Sequence, residues 1–122
     1  MNLMLLPQDY TVCQIPDTSE IDLSNEFVFF SRTDEELSLV CETEHIPQRT
    51  LTREDGWRGF RVCGVLDFSL VGILAQISCI LAEQGISIFA ISTYNTDYIF
   101  TKADVFEQAI ETLASAGYAI LE

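Results

Sequence analysis

Six consecutive polar or partly polar residues, the STYNTD segment (Ser92–Asp97), interrupt two apolar runs that otherwise have the composition of buried strands. The Asp97 carboxylate could pair with an ammonium group, and the hydroxyls of Ser92, Thr93 and Tyr94 could form hydrogen bonds with a ligand. Asn and Asp are also typical of tight turns, so the segment could equally be a simple hairpin turn. The segment alone leaves both interpretations open.

A second group of candidates lies upstream, where a predicted strand (Phe60–Asp67) is followed by a predicted helix that starts at Ser69. The unpaired backbone N–H groups of a helix start suit a carboxylate, and Gly72 would let a ligand approach closely. In a βαβ unit the strands before and after the helix are parallel, so Asp67 and Thr93–Tyr94 should share one edge of the sheet. Anion-binding N–H groups beside acidic side chains suit a zwitterion, and a free amino acid is the simplest one.

The elements that would position these residues occupy the C-terminal half. Apolar residues recur at i, i+3, i+4 and i+7 from Leu70 to Leu81, which predicts a helix with one buried face, and glycines stand where helices would end (Gly85, Gly117). The predicted order is a strand at Phe60–Asp67, a helix with Ser69 as N-cap, strands at Ile86–Tyr94 and 97–103, a helix opened by a capping box of Asp104 and Glu107, and a strand at 118–122. This βαββαβ order predicts a ferredoxin-like α+β domain.

The N-terminal half has strand-like patterns but little helical periodicity. Strands are predicted at 10–15, 26–32 and 37–42, with a loop at 16–25 and a turn at Thr33–Glu36. The EDGWRGF segment (Glu54–Phe60) is interpreted as a joint between the halves. We therefore predict a reduced unit at 1–59 and a complete domain at 60–122, although no repeat between the two halves is evident in the sequence.

The charge of the chain limits its partners. The formal net charge is -13, with 19 Asp and Glu against 6 Lys and Arg among 122 residues. Such a surface repels nucleic-acid phosphates and anionic lipid, so we predict neither nucleic-acid nor membrane binding. The apolar stretch Leu70–Ser92 is interrupted by Gln76 and Glu83, so it is not predicted to span a membrane. The N-terminal MNLMLLPQ lacks the positive charge of a signal peptide, and we expect a cytoplasmic protein.

No pattern indicates catalysis, a metal site or a cofactor. The four cysteines are widely spaced and the chain has one histidine, His45, so the usual zinc spacings are absent and buried free thiols are predicted. There is no glycine-rich phosphate loop and no nucleophile motif. We therefore predict a non-enzymatic protein.

Three segments carry a resemblance to a known family. They are the G-x-L-A-Q-I-S helix start (Gly72–Ser78), the ISIFAIST strand (Ile86–Thr93) and the S-T-Y-x-T-D tip (Ser92–Asp97). The C-terminal half resembles the ACT family of small-molecule-binding regulatory domains. More narrowly, it is similar to the ACT-like subfamily found in small bacterial proteins and in the cytosolic arginine-sensor proteins of animals. The upstream FFSRTDEELSLVC and GWRGFRV resemble the first, reduced ACT unit of that subfamily, which implies two tandem units.

The resemblance implies a set of ligand contacts and an assembly. The implied contacts are Asp67, Leu70, Val71, Gly72, Thr93, Tyr94 and Asp97, to which the helix start adds Ser69. Arginine sensors carry an acidic residue where Leu70 stands here, so we predict the ligand class, an amino acid, and not arginine itself. ACT domains commonly pair through sheet edges, which implies a homodimer.

Two functions remain open from the sequence. The first is an amino-acid-binding sensor that regulates a partner protein. The second is a dimeric protein-interaction module with no ligand, in which STYNTD is only a turn. Asp97 distinguishes them, because it is essential only in the first.

Overall fold

The computed structural model describes residues 1–64 and 72–122. Its elements are β1 (Asn2–Gln14), β2 (Phe29–Arg32), β3 (Leu37–Glu42), a 3-10 turn (Thr43–His45), β4 (Thr52–Val62), α1 (Ile73–Glu83), β5 (Ile88–Ser92), β6 (Asp97–Lys102), α2 (Ala103–Ser115) and β7 (Ala119–Leu121). The fold is the predicted ferredoxin-like α+β arrangement. No helix in the described part of the chain is long and apolar enough to cross a membrane.

The chain forms two compact units, and β1 and β4 each contribute to both. The helical unit consists of Met1–Pro7 and Arg58–Glu122, and the reduced unit of Gln8–Trp57. The boundary predicted between residues 59 and 60 stays a prediction. The segment Glu54–Phe60, interpreted as a joint between the halves, contains the division between Trp57 and Arg58, and it is part of strand β4 rather than a separate linker.

The sheet of the helical unit contains a strand that the sequence did not predict. Its order is β7-β1-β4-β6-β5. The first residues of β1 therefore lie between β4 and β7, which are the first and last strands of the βαββαβ order. Asn2 pairs with Ala119 and Met4 with Leu121, parallel to β7. Pairing between the two ends of a chain leaves no local signal, which is why the sequence did not predict this strand.

Helix α1 has the predicted buried face and a later start than predicted. Ile77 and Leu81 are fully buried, and the helix ends before Gly85, whose φ of +72° favours glycine. Gly72, rather than Ser69, occupies the N-cap position, with φ +84° and no side-chain cap. Ser69 itself lies outside the described residues.

Helix α2 buries Phe106, Ala109 and Leu113 but does not use the predicted capping box. Lys102 occupies the N-cap position, no side chain caps the helix, and Asp104 lies in the first turn. The physical reason is that β6 leads directly into the helix, so the last strand residue becomes the N-cap.

The reduced unit closes its core without an α-helix. All of its residues, 8–57, are described, and they contain one 3-10 turn and the strand order β2-β3-β1-β4. Its small core consists of four buried residues, Cys13, Ile15, Leu39 and Cys41. Four partly buried residues pack against this core: Ile21, Val28, Leu37 and Ile46. Loop side chains therefore help to exclude water where a complete unit would use helices.

The loop that covers this core is held by Arg49. Its guanidinium donates to both carboxylate oxygens of Asp17 (3.1 and 3.0 Å), and its backbone N–H donates to Glu20 (3.0 Å). Hydrogen bonds from Ser19, followed by that from Arg49, lower the pKa of Asp17 to about 2. The ionised carboxylate is therefore part of the folded loop.

Asp17 should make the stability of the reduced unit pH-dependent. Because its folded pKa lies below its ordinary value of 3.8, its contribution is present above about pH 4 and is lost as the pH falls towards 2. We expect the melting temperature of Asp17→Asn to lie below that of the wild type at pH 7 and the difference to shrink between pH 4 and 2. Thermal melts across that range measure it, with Asp34→Asn as a control in another exposed turn. A difference that is constant with pH would contradict the prediction.

Two hairpins in the described part of the chain, β2–β3 and β5–β6, match at a spacing of 60 residues, from Thr33 to Thr93. In each, the threonine N–H donates to the carbonyl three residues on, Glu36 (3.0 Å) and Thr96 (2.8 Å). Strands β3 and β6 follow with the same sequence of half-buried and buried positions. The structure thus shows a local repeat that the side-chain sequence conceals, which agrees with the expectation of a second, reduced unit.

The cysteines are all free, but only two are buried. Cys13 and Cys41 lie in the core of the reduced unit, whereas Cys63 is half-buried and Cys79 is exposed, so the prediction of buried thiols is wrong for Cys79. Burial raises the pKa of Cys13, and burial followed by the neighbouring Cys13 raises the pKa of Cys41 to about 11. The two core thiols therefore stay protonated at neutral pH and are poor nucleophiles.

Candidate ligand-binding site

The STYNTD segment forms the closed tip of the β5–β6 hairpin. Ser92 and Asp97 are directly opposite each other, and the Ser92 hydroxyl donates to Asp97 Oδ1 at 2.6 Å. Thr93 N–H donates to the Thr96 carbonyl at 2.8 Å, which completes a four-residue turn. The turn predicted for this segment is therefore real. Whether it also binds a ligand depends on the groups that it leaves available.

The Thr93 hydroxyl is used inside the turn. It donates to the Thr96 carbonyl (2.9 Å) and accepts from the Thr96 N–H (3.4 Å). A hydroxyl has one proton, so Thr93 cannot donate to a ligand without giving up that bond. The Thr93 hydroxyl therefore shapes the tip, as the Ser92 hydroxyl does through its bond to Asp97.

The tip carries a carboxylate on Asp97 and an exposed aromatic ring on Tyr94. The bond from Ser92 uses Oδ1 of Asp97, and in the described structure Oδ2 is left without a hydrogen-bond partner. Tyr94 is 80% exposed at the end of the tip. A carboxylate oxygen and an aromatic face each attract a cation such as an ammonium group.

Thr96 connects the tip to the end of β4, and the sequence did not point to it. Its side chain is only 7% exposed, and its hydroxyl donates to the Val62 carbonyl at 2.7 Å. Val62 is the last residue of β4. The tip and the end of β4 are therefore adjacent. A buried threonine in a turn has no distinct sequence signal, so only the tertiary structure could identify it.

The remaining predicted residues divide into described and undescribed positions. Asp67, Ser69, Leu70 and Val71 lie outside the described residues. Gly72 is exposed and adopts φ +84°, a conformation that L-amino acids with side chains rarely adopt. No hydrogen bond within the described part of the chain joins Gly72 to the tip, although both belong to the helical unit.

The start of α1 has the electrostatics of an anion-binding helix end. Its first turn contains no acidic residue, and no side chain caps it. The first intrahelical bond of this end runs from Gln76 N–H to the Gly72 carbonyl (2.8 Å), so the preceding N–H groups have no intrahelical acceptor. These groups and the helix dipole favour a negative charge at this end.

Two open clefts are each lined by residues of one unit, and neither includes the tip. One, of about 440 Å³, belongs to the reduced unit and includes Gln14, Ser38 and Arg53. The other, of about 260 Å³, belongs to the helical unit and includes Gln76 and Tyr118, whose hydroxyl donates to the Gln76 side chain at 2.8 Å. In the described residues no three His, Cys, Asp or Glu side chains come together to hold a metal ion.

Comparisons with protein families agree with this architecture. A family model described as the ACT domain matches residues 52–115, more than half of the chain. A separate model of an N-terminal domain matches residues 8–49, nearly the whole reduced unit. Among curated protein sequences no match was found.

Several solved structures have the same fold. A protein of Agobacterium tumefaciens is 31% identical, with a TM-score of 0.83, and the alignment covers 98% of this chain and 91% of that one. A Vibrio cholerae protein of unknown function, described as a possible transport protein, is 28% identical, with a TM-score of 0.73 and coverage of 93% and 88%. The ligand-free regulatory subunit of aspartate kinase from Thermus thermophilus is 12% identical, with a TM-score of 0.64 and coverage of 96% and 98%, so it shares the fold alone.

Proposed function

Because the chain belongs to the ACT domain family, we propose that it is a non-catalytic regulatory protein that binds a free amino acid. The observation that carries this proposal is the hydrogen bond from Thr96 to the Val62 carbonyl, which holds the polar tip beside the end of β4. The similar Thermus protein is a regulatory subunit, an analogy that rests on the fold alone.

The proposed ligand contacts divide by charge. The carboxylate of the amino acid would bind the N–H groups at the start of α1, and Gly72 would allow it to approach closely. Ser69, Leu70 and Val71 would also contact the ligand. The ammonium group would bind Asp97 Oδ2 and Asp67. Tyr94 would cover the ligand with its ring, and Thr93 would shape the turn beneath it.

We further propose that the chain acts in the cytoplasm as a homodimer and regulates a partner protein. It would belong to the small tandem ACT-like proteins related to the cytosolic arginine sensors. Strand β5 supports the dimer, because it is the outer strand of its unit's sheet, pairs with β6, and carries no charged residue along Ile88–Ser92. An unprotected apolar edge favours pairing with another strand. Sedimentation equilibrium would contradict the dimer if it gave the monomer mass at micromolar concentration.

The alternative is a protein-interaction module without a ligand. It is favoured by one observation: the tip satisfies its own hydrogen bonds, between Ser92 and Asp97 and between Thr93 and Thr96, without any ligand. An exposed aromatic residue such as Tyr94 would then contact a protein instead.

A thermal-shift screen against the twenty amino acids tests the proposal. An amino acid at ~100 times its dissociation constant adds about 2.7 kcal/mol of stability, which for a domain of this size raises the melting temperature by roughly 8–20 °C. We expect a shift from one amino acid or one chemical group of them. No shift from any amino acid at millimolar concentration would contradict binding and favour the interaction module.

Two matched substitutions separate a binding role of Asp97 from a turn role. Asp97→Asn keeps an oxygen that accepts from Ser92 and removes the charge. The rise of the melting temperature with the amino acid should therefore be lost, while the melting temperature of the free protein should not change. Ser92→Ala keeps the carboxylate and removes the hydrogen bond, so the free protein should lose about 0.5–1.5 kcal/mol and keep the shift. A full shift in Asp97→Asn would exclude Asp97 as the ammonium contact.

A further inference from the structure

Thr96 uses every polar atom it has to hold the tip in place. Its carbonyl accepts from both the N–H and the hydroxyl of Thr93, at 2.8 and 2.9 Å. Its N–H donates to the Thr93 hydroxyl, and its own hydroxyl donates to the Val62 carbonyl. The first three bonds are local to the turn. The fourth is the one that fixes the turn relative to a different strand.

From this geometry, and resting on the proposed amino-acid site, we propose that Thr96 is its positioning residue and that each chain has one such site. Thr96 does not contact the ligand. Its hydroxyl holds the tip against β4, and so fixes the position of Tyr94 in the tip and of Asp97 at the start of β6.

The matching hairpin of the reduced unit keeps a threonine, Thr33, at the position of Thr93 but lacks three other side chains of this arrangement. At the spacing of 60 residues, the reduced unit has Arg32 at the position of Ser92, Glu36 at that of Thr96 and Leu37 at that of Asp97. The backbone turn is retained, because Thr33 N–H donates to the Glu36 carbonyl at 3.0 Å. No hydroxyl is therefore available at position 36 to bind a neighbouring strand, and no carboxylate at position 37 to bind an ammonium group.

The two hairpins thus share the backbone shape of the turn but differ in the side chains that could position and bind a ligand. Both have the same closing backbone bond and the same burial along the following strand. Only the tip of the helical unit carries a buried hydroxyl bond to a third strand together with a carboxylate at the first residue of the next strand. This contrast predicts one bound amino acid per chain, although residues 1–64 and 72–122 contain two hairpins of this shape.

The test compares Thr96→Val, which removes the hydroxyl with little change in shape, with Thr96→Ser, which keeps it. Glu36→Gln, at the matching position of the reduced unit, is the control. For each variant, hydrogen exchange measures protection of the Thr93 and Thr96 amides. Isothermal titration with the amino acid that shifts the wild type most measures the dissociation constant and the stoichiometry, well below the melting temperature.

We expect faster exchange at the tip in Thr96→Val only, and normal exchange in Thr96→Ser. If the tip of Thr96→Val is correctly positioned in only about one molecule in ten, the dissociation constant of this variant rises roughly tenfold, because only that fraction can bind the amino acid. Thr96→Ser should restore the wild-type affinity, Glu36→Gln should leave it unchanged, and the stoichiometry should be one amino acid per chain.

The outcomes separate failure of this inference from failure of the proposed function. Wild-type affinity in Thr96→Val, or two amino acids per chain, would overturn the inference and leave amino-acid binding intact. Unchanged exchange in Thr96→Val would show that the hydroxyl does not position the tip. If none of the twenty amino acids binds the wild type, the proposed function and the site argued from it both fail.

Discussion

Gly59→Ala is expected to lower the free energy of unfolding by about 2–3 kcal/mol, although alanine is normally better than glycine in a strand. A Cβ atom at Gly59 would lie 2.6 Å from Cε1 and 2.7 Å from Cδ1 of the Phe100 ring, and 3.3 Å from the Ile99 carbonyl. The ring cannot move away easily, because Phe100 is fully buried and stacks on Phe89 with ring centroids 4.8 Å apart. Strand β4 therefore needs glycine where it passes this aromatic pair.

Urea denaturation of Gly59→Ala measures this cost, and the double variant Gly59→Ala/Phe100→Leu tests its cause. A smaller side chain at position 100 leaves room for the methyl group. The loss in the double variant should then be less than the sum of the two single losses by about 1 kcal/mol or more. If the losses are simply additive, the clash with the ring is not the reason for glycine at this position.

Leu81→Ala is expected to cost about 2–5 kcal/mol, because it leaves a cavity under the helix that follows the proposed site. Leu81 is fully buried in the core of the helical unit together with residues of α2 and β4, among them Phe106, Leu113 and Phe60. The bonds that end α1 involve the backbone carbonyl of residue 81, so they survive the substitution. The expected loss is therefore one of packing rather than of helix termination.

Cys79→Ala is the matched control for this prediction, since it lies on the exposed face of the same helix. It should change the free energy of unfolding by no more than about 0.5 kcal/mol. Equilibrium unfolding followed by far-UV circular dichroism compares the two variants directly. Equal effects would mean that the face of α1 assigned to the core is wrong.

Most of the helical unit could be predicted from its sequence because its signals are local. A helix must turn one face to the core, so the spacing of Ile77 and Leu81 identifies α1. The glycines that follow each helix identify its end, because φ values of +72° at Gly85 and +105° at Gly117 favour residues without a side chain. The hairpin was predicted from its turn residues, and Ser92 does pair with Asp97.

The helix starts were less predictable, because the competing signals are weaker there. Serine and aspartate are good N-caps, which favoured Ser69 and Asp104. The observed N-cap positions are Gly72 and Lys102, set by where the backbone enters each helix rather than by side-chain preference. A cap contributes about 1 kcal/mol, and the geometry of the connecting chain can outweigh it.

The sequence by itself determined the order of elements in the helical unit, its fold class and the polar tip as a place to look for a ligand. Only the tertiary structure decided that Met1–Pro7 joins this sheet, that β4 continues through residues 54–60, and that two hairpins repeat at a spacing of 60 residues. It also identified Thr96, whose bond to Val62 spans 34 positions along the chain. The physical reason is the same in each case: periodicity and turn chemistry act between near neighbours, whereas strand pairing and buried side-chain bonds join residues that are distant in sequence.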